Sequence, residues 1–225
     1  MKTYIVSIIA VLAGYLFIWF TKPTGAKGFK LFLAFSGAFL LAITVFNLLP
    51  EIFSEGSGAK KYGIWIMIGI LLQKILEYLS EGAEHGHFHV KNNKKQFPVL
   101  IYISLCLHAI LEGLPLHSNE NLFHAIVIHK IPIAMILTIF LVKTEISSAK
   151  ILFYLVLFSI MTPIGTWMTS NVVWLQDYYE ELTAMVIGIF LHVSTTILFE
   201  NNEGHKFNLT KLLVILSATL VAYLL

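Results

Sequence analysis

A histidine and a carboxylate one helical turn apart, His108 and Glu112, lie inside the apolar stretch Leu105-Cys106-Leu107-His108-Ala109-Ile110-Leu111-Glu112-Gly113. The next apolar stretch carries His129-Lys130-Ile131-Pro132. At 3.6 residues per turn, His108 and Glu112 share one helix face. Each ionisable group in hydrocarbon costs roughly 2.5–3.5 kcal/mol on insertion scales, so such residues call for a partner or a function. Imidazole nitrogen and carboxylate oxygen together form a donor set for Zn²⁺ first, with Fe²⁺, Mn²⁺, Co²⁺ or Ni²⁺ compatible. Three protein ligands plus water leave an exchangeable coordination position, which a carrier needs in order to release its ion.

The elements that must hold these residues read as membrane helices. Of 225 residues, 57% are hydrophobic and 12% charged, where a soluble domain would be about 25% charged. The mean hydropathy is +0.80. Apolar stretches near the ~20 residues that cross ~30 Å of hydrocarbon recur throughout: 4–20, 28–50, 62–80, 97–116, 122–142, 150–171, 180–199 and 208–225. We therefore expect an all-α membrane protein of eight transmembrane helices, one polytopic unit over 1–225, with a short histidine-containing cytoplasmic loop at 81–97. The first stretch resembles a signal peptide in its Lys2 and apolar run, but no small-residue cleavage site follows and it is kept as a span.

Lysine orients the chain, which contains no arginine. With the N-terminus outside, the inner loops hold Lys22, Lys27, Lys30, Lys91, Lys94, Lys95, Lys143, Lys150, Lys206 and Lys211, against Lys2, Lys60 and Lys61 outside. The positive-inside rule then places both termini extracytoplasmic. The outer loops carry Glu51, Glu55, Glu120, Asp177, Glu180 and Glu181, a field that draws cations to the outer mouth or simply solvates the loops. The single Cys106 excludes an internal disulfide and reads as a small buried hydrophobe. Nucleic-acid binding has no support.

The short connection at 117–121 makes the fourth and fifth spans antiparallel neighbours. His108 and His129 then fall at a common depth, roughly 10–12 Å below the outer edge of the core. Pro132 and, on the sixth span, Pro163 each remove a backbone donor and predict helices broken near the site. Lys130, too deep to snorkel easily, is expected to modulate the site, pairing with Glu112. Further candidates are weaker. His85, His87 and His89 alternate in the loop after span three and form a possible cytoplasmic capture site. Asn47, His117, Glu120, His124 and His192 are possible pathway residues, with a hydrogen-bonded core role the plainer alternative for His192. Lys74 and Glu77 read as an i,i+3 pair, and Trp65, Trp174, Tyr178 and Tyr179 as interface anchors.

These motifs, in this order, resemble the ZIP (Zrt/Irt-like) family of divalent-metal transporters over nearly the whole chain. Asn47-Leu48-Leu49-Pro50-Glu51 is similar to the family's "LLPE", and Glu84-His85-Gly86-His87-Phe88-His89 to its histidine-rich loop. His108-Ala109-Ile110-Leu111-Glu112-Gly113 is similar to "HxxxEG", His129-Lys130-Ile131-Pro132 to "HxIP", and Phe190-Leu191-His192-Val193 stands where relatives read "FLYV". Pro163-Ile164-Gly165 completes the series.

The resemblance implies an eight-helix carrier moving Zn²⁺ or a similar ion toward the cytoplasm, not an enzyme, with His108, Glu112 and His129 as transport-site ligands. It implies no resident cofactor and a multi-pass location, in the plasma (inner) membrane if the source is bacterial. The partners expected are the divalent ion and the lipid bilayer, with a homodimer left open. The chain departs from the family's two-metal pattern at Ala109, Lys130, Ile133 and Thr162, where the second metal position is dismantled and the Lys130 ammonium can stand in for it. That departure keeps a non-transporting ZIP-like sensor or binding protein as an alternative. An intramembrane zinc hydrolase with Glu112 as base is the other.

Overall fold

A computed structural model describes residues 2–21, 26–54, 58–85, 97–117, 120–199 and 209–225. Among the described residues, each expected apolar stretch is largely helical. The helices are α1 (Lys2–Thr21), α2 (Ala26–Ile43), α3 (Leu49–Phe53), α4 (Ala59–Leu79), α5 (Val99–Gly113), α6 (Glu120–Lys143), α7 (Ser148–Asn171), α8 (Val173–Asp177), α9 (Tyr179–Phe199) and α10 (Leu209–Leu224). Among the described residues, six helices are long and apolar enough to cross a membrane. The expectation of eight spans is met only in part. The described apolar portions at the two ends, Ile5–Thr21 and Leu209–Leu224, are shorter. The 16 residues of α10 rise about 24 Å, less than a ~30 Å core.

The expectation of breaks at the prolines is corrected. Pro132 and Pro163 both lie inside continuous helices, α6 and α7. A missing N–H costs one bond in the ladder, which neighbouring turns and packed helices can absorb in an apolar surround. The irregularity falls elsewhere: α2 passes through a π-helical turn, Thr44–Leu48, before resuming as α3 with Pro50 in its first turn. Such wide turns are rare and concentrate near functional regions.

Packing sorts the helices into two groups. α7 packs on α1, α5 and α6, and α1 on α6, while α2, α4, α9 and α10 form the other set, with α2 also against α6. Two apolar cores follow this division. α6 serves both, its first half (Leu122, Ala125, Ile126) in one and its second half (Ile133 to Leu141) in the other. His129 and Lys130 stand at the changeover. Close helix approach inside each group depends on glycine. A methyl on Gly69 would overlap the Met185 carbonyl, and one on Gly188 that of Ile66, between α4 and α9. Gly113 and Gly165 do the same between α5 and α7, against Thr162 and Ile110. Small residues at such crossings are how membrane helices gain van der Waals contact. The outward faces are apolar and exposed, as at Phe20, Leu71, Ile75, Phe153 and Leu213.

Candidate metal centre

The C-terminal turn of α5 is where the chemistry collects, and α7 holds that turn. A helix leaves its last carbonyls without intrahelical donors. Thr166 Oγ1 donates to Gly113 O at 2.9 Å and Thr169 Oγ1 to Leu114 O at 2.9 Å. Thr162, one turn earlier on the same face of α7, donates to Glu112 Oε1 at 2.7 Å. The glycine contact of Gly113 with Gly165 brings the backbones near enough for this ladder. Glu112 is therefore positioned by its own helix end and by a hydroxyl.

Lys130 enters from α6. It is 1% exposed; its Nζ donates to Glu112 Oε1 and to Thr162 Oγ1, and lies 5.1 Å from the centre of the Phe158 ring. The cluster is therefore a buried ion pair with a hydroxyl and an aromatic face completing the cation's shell.

His108 and His129, both buried, face one another with ring centres 6.2 Å apart. His108 Nε2 lies 3.8 Å from Glu112 Oε2 and hydrogen bonds to none of the described residues. The three expected ligands thus share one locale. They are more open than a coordination shell, and among the described residues no three His, Cys, Asp or Glu side chains form a metal-holding group. The ammonium of Lys130 holds Glu112 Oε1, an oxygen for which a bound ion would compete.

The other edge of His108 was not foreseen. Its Nδ1 pairs with Gln73 Oε1 at 3.1 Å. This contact crosses from α5 to α4, hence between the two helix groups. The Gln73 amide nitrogen in turn donates to Glu84 Oε2. Gln73 and Glu84 are both completely buried. Glu84 reaches this position because the chain reverses after α4: Glu81 and Gly82 are left-handed (φ 53° and 71°), with Gly82 N bonded to Glu77 O at 3.0 Å. The turn Ala83–His85 is thereby folded back. Burial pushes the Glu84 carboxyl above the ordinary carboxylate range. A lone polar residue in apolar α4 was the available signal for Gln73; Glu84 was noticed only as a neighbour of the loop histidines.

Other candidates lie apart. His192 Nε2 pairs with Glu77 Oε2 at 2.6 Å, and Lys74 Nζ approaches the same carboxylate at 3.1 Å. His192 is thus tied to α4 rather than to His108. Asn47 is on the π-turn, its Oδ1 buried without a hydrogen bond to any described residue. Thr162 sits on Lys130, while His124 is exposed. His87 and His89 lie outside the described residues, as do the side chains of His85, His117 and Glu120. Where α3 meets α9, Glu51 and Glu180 line a cavity of about 150 Å³ with Leu48, Ile52, Tyr179 and Thr183. Lys61 pairs with the nearby Glu181, and Tyr62 donates to Glu180.

Residues 98–224, more than half of the chain, match the family described as ZIP Zinc transporter. A curated relative, "Zinc transporter ZIP1" of Danio rerio, is 30% identical over 87 residues, 36% of this chain. The match spans 28% of that relative's length.

Proposed function

This chain belongs to the ZIP zinc transporter family, and from that premise we propose that it carries a divalent metal ion, Zn²⁺ foremost, toward the cytoplasm. It is a multi-pass integral membrane protein. In the reading proposed here, residues 1–225 form one unit, α1 and α10 complete eight spans and both termini are extracytoplasmic. One observation carries the reading beyond family: two histidines and a glutamate converge at the seam between helix groups, with the Lys130 ammonium on the glutamate.

The ion enters from the side of the Glu51–Glu180 cavity and is bound by His108 Nε2, Glu112 and His129. Binding displaces Lys130 from Glu112, and the ammonium keeps Thr162 and the Phe158 ring as partners. A doubly charged ion about 5 Å from that ammonium is repelled by about 7 kcal/mol at an effective dielectric of ~20. This approaches the ~8 kcal/mol of micromolar binding. Lys130 therefore prevents the site from becoming a trap. When the ion leaves, the ammonium returns to Glu112 and neutralises the carboxylate. In this reading His85, His87 and His89 would receive the ion, and Asn47, His117, Glu120, His124 and His192 would serve its route.

Zn²⁺ uptake into proteoliposomes loaded with a zinc dye tests this. Wild type should give saturable uptake, and His108→Ala and Glu112→Ala should abolish it while still inserting. Stoichiometric binding without uptake would instead favour the sensor reading, for which the Lys130–Glu112 pair is the motivating feature.

A further inference from the structure

His108 presents its two ring nitrogens to two different carboxylates. Nε2 faces Glu112, on its own helix. Nδ1 reaches Glu84 through a single amide, that of Gln73, on the opposite helix group. Glu84 has no exposed surface, and its Oε1 is buried without a hydrogen bond to any described residue. A buried carboxyl oxygen without a partner is costly unless something else takes it up. The left-handed pair Glu81 and Gly82 ends α4, and the turn that follows leaves this carboxylate buried. Solvent was the cheaper destination for a charged group after a helix end.

We propose that Gln73 and Glu84 form a second divalent-metal position, which receives the ion from His108 on its way out of the transport site. The proposal rests on the transport reading above. Around a tetrahedral Zn²⁺ with bonds near 2.0–2.1 Å, neighbouring ligand atoms lie about 3.3 Å apart. His108 Nδ1 and Gln73 Oε1 are already 3.1 Å apart. In the present arrangement the Gln73 amide fills the gap between imidazole and carboxylate, closing the route. An arriving ion replaces the amide N–H as the partner of Glu84, using the oxygen that is now idle. The two positions share His108, with one carboxylate on α5 and the other on the turn after α4.

The test compares wild type, Glu84→Gln and Glu84→Asp, each as the full chain, by Zn²⁺ uptake and by equilibrium dialysis of purified protein against Zn²⁺. Glutamine keeps the shape and a hydrogen bond to Gln73 but is a poor ligand; aspartate is shorter but keeps the carboxylate. A ligand role predicts that glutamine lowers maximal uptake at least about tenfold, with little change in half-saturating external Zn²⁺, and reduces bound Zn²⁺, while aspartate retains more of both. A purely structural role predicts the reverse order. Glutamine behaving as wild type in both assays overturns the proposal and leaves transport standing. If wild type binds Zn²⁺ without uptake, the transport reading fails, and dialysis alone decides: lower binding by Glu84→Gln supports the second position, unchanged binding overturns it. Wild type that neither binds nor carries Zn²⁺ overturns both.

Discussion

At the scale of single residues, Lys130 is the feature with the largest energetic stake. Its ammonium and the Glu112 carboxylate are both buried and satisfy one another. Removing one member of such a pair strands the other charge and costs about 3–5 kcal/mol, whereas replacing both by neutral groups of similar volume costs far less. Lys130→Met should therefore destabilise the detergent-solubilised protein strongly, measured by loss of folded protein on heating. Lys130→Met combined with Glu112→Gln should recover most of that stability and none of the uptake. Equal stability of the single and double variants would mean that Glu112 is satisfied by Thr162 without the ammonium. The residue types at the site were legible in the chain, because a charged side chain in an apolar stretch has few explanations. Gln73 and Glu84 were not, since neither spacing nor composition shows that the chain doubles back at Glu81 and Gly82.

Among elements, the junction of α5 and α7 sets the geometry. Glu112 is held where Gly113 lies against Gly165, and the threonines of α7 bond the end of α5 only at that separation. Gly165→Ala would drive a methyl into the Ile110 carbonyl, so the helices must part. Overpacking of this kind costs about 1–3 kcal/mol or more. Uptake should fall with it, because Thr162 and Lys130 are drawn from Glu112. Gly63→Ala, with nothing within 4 Å of its added methyl, should leave both uptake and stability unchanged. Identical behaviour of the two variants would remove the α5–α7 contact from the account of the site. The helices themselves were readable from hydropathy, since backbone groups in lipid leave few options but helix. The uninterrupted course of α6 and α7 through Pro132 and Pro163 was not. Nor was the π-turn at Thr44–Leu48, which replaces the expected breaks.

For the whole molecule, the seam between the two helix groups coincides with the candidate site. Gln73 and His108 bond across it, and α6 contributes to both cores on either side of His129 and Lys130. Orientation remains an argument from lysine placement, and it has a direct check. In a Cys106→Ala background, a membrane-impermeant maleimide applied to intact cells should label Lys60→Cys and spare Lys150→Cys, both exposed positions. The opposite pattern would invert the topology and with it the proposed direction of transport.

By itself, the sequence determined that this is a helical membrane protein, which residues are candidates for its chemistry and which family their order resembles. Those properties follow from local hydropathy, from turn periodicity and from residue type, all of which survive without tertiary contacts. Only the tertiary structure decided who meets whom: Lys130 with Glu112 and Thr162, His192 with Glu77, and His108 with Gln73 and, beyond it, Glu84. Such partners come from helices far apart in the chain. Their meeting depends on glycine-sized gaps between backbones and on one reversal of the chain after α4, which no local pattern encodes.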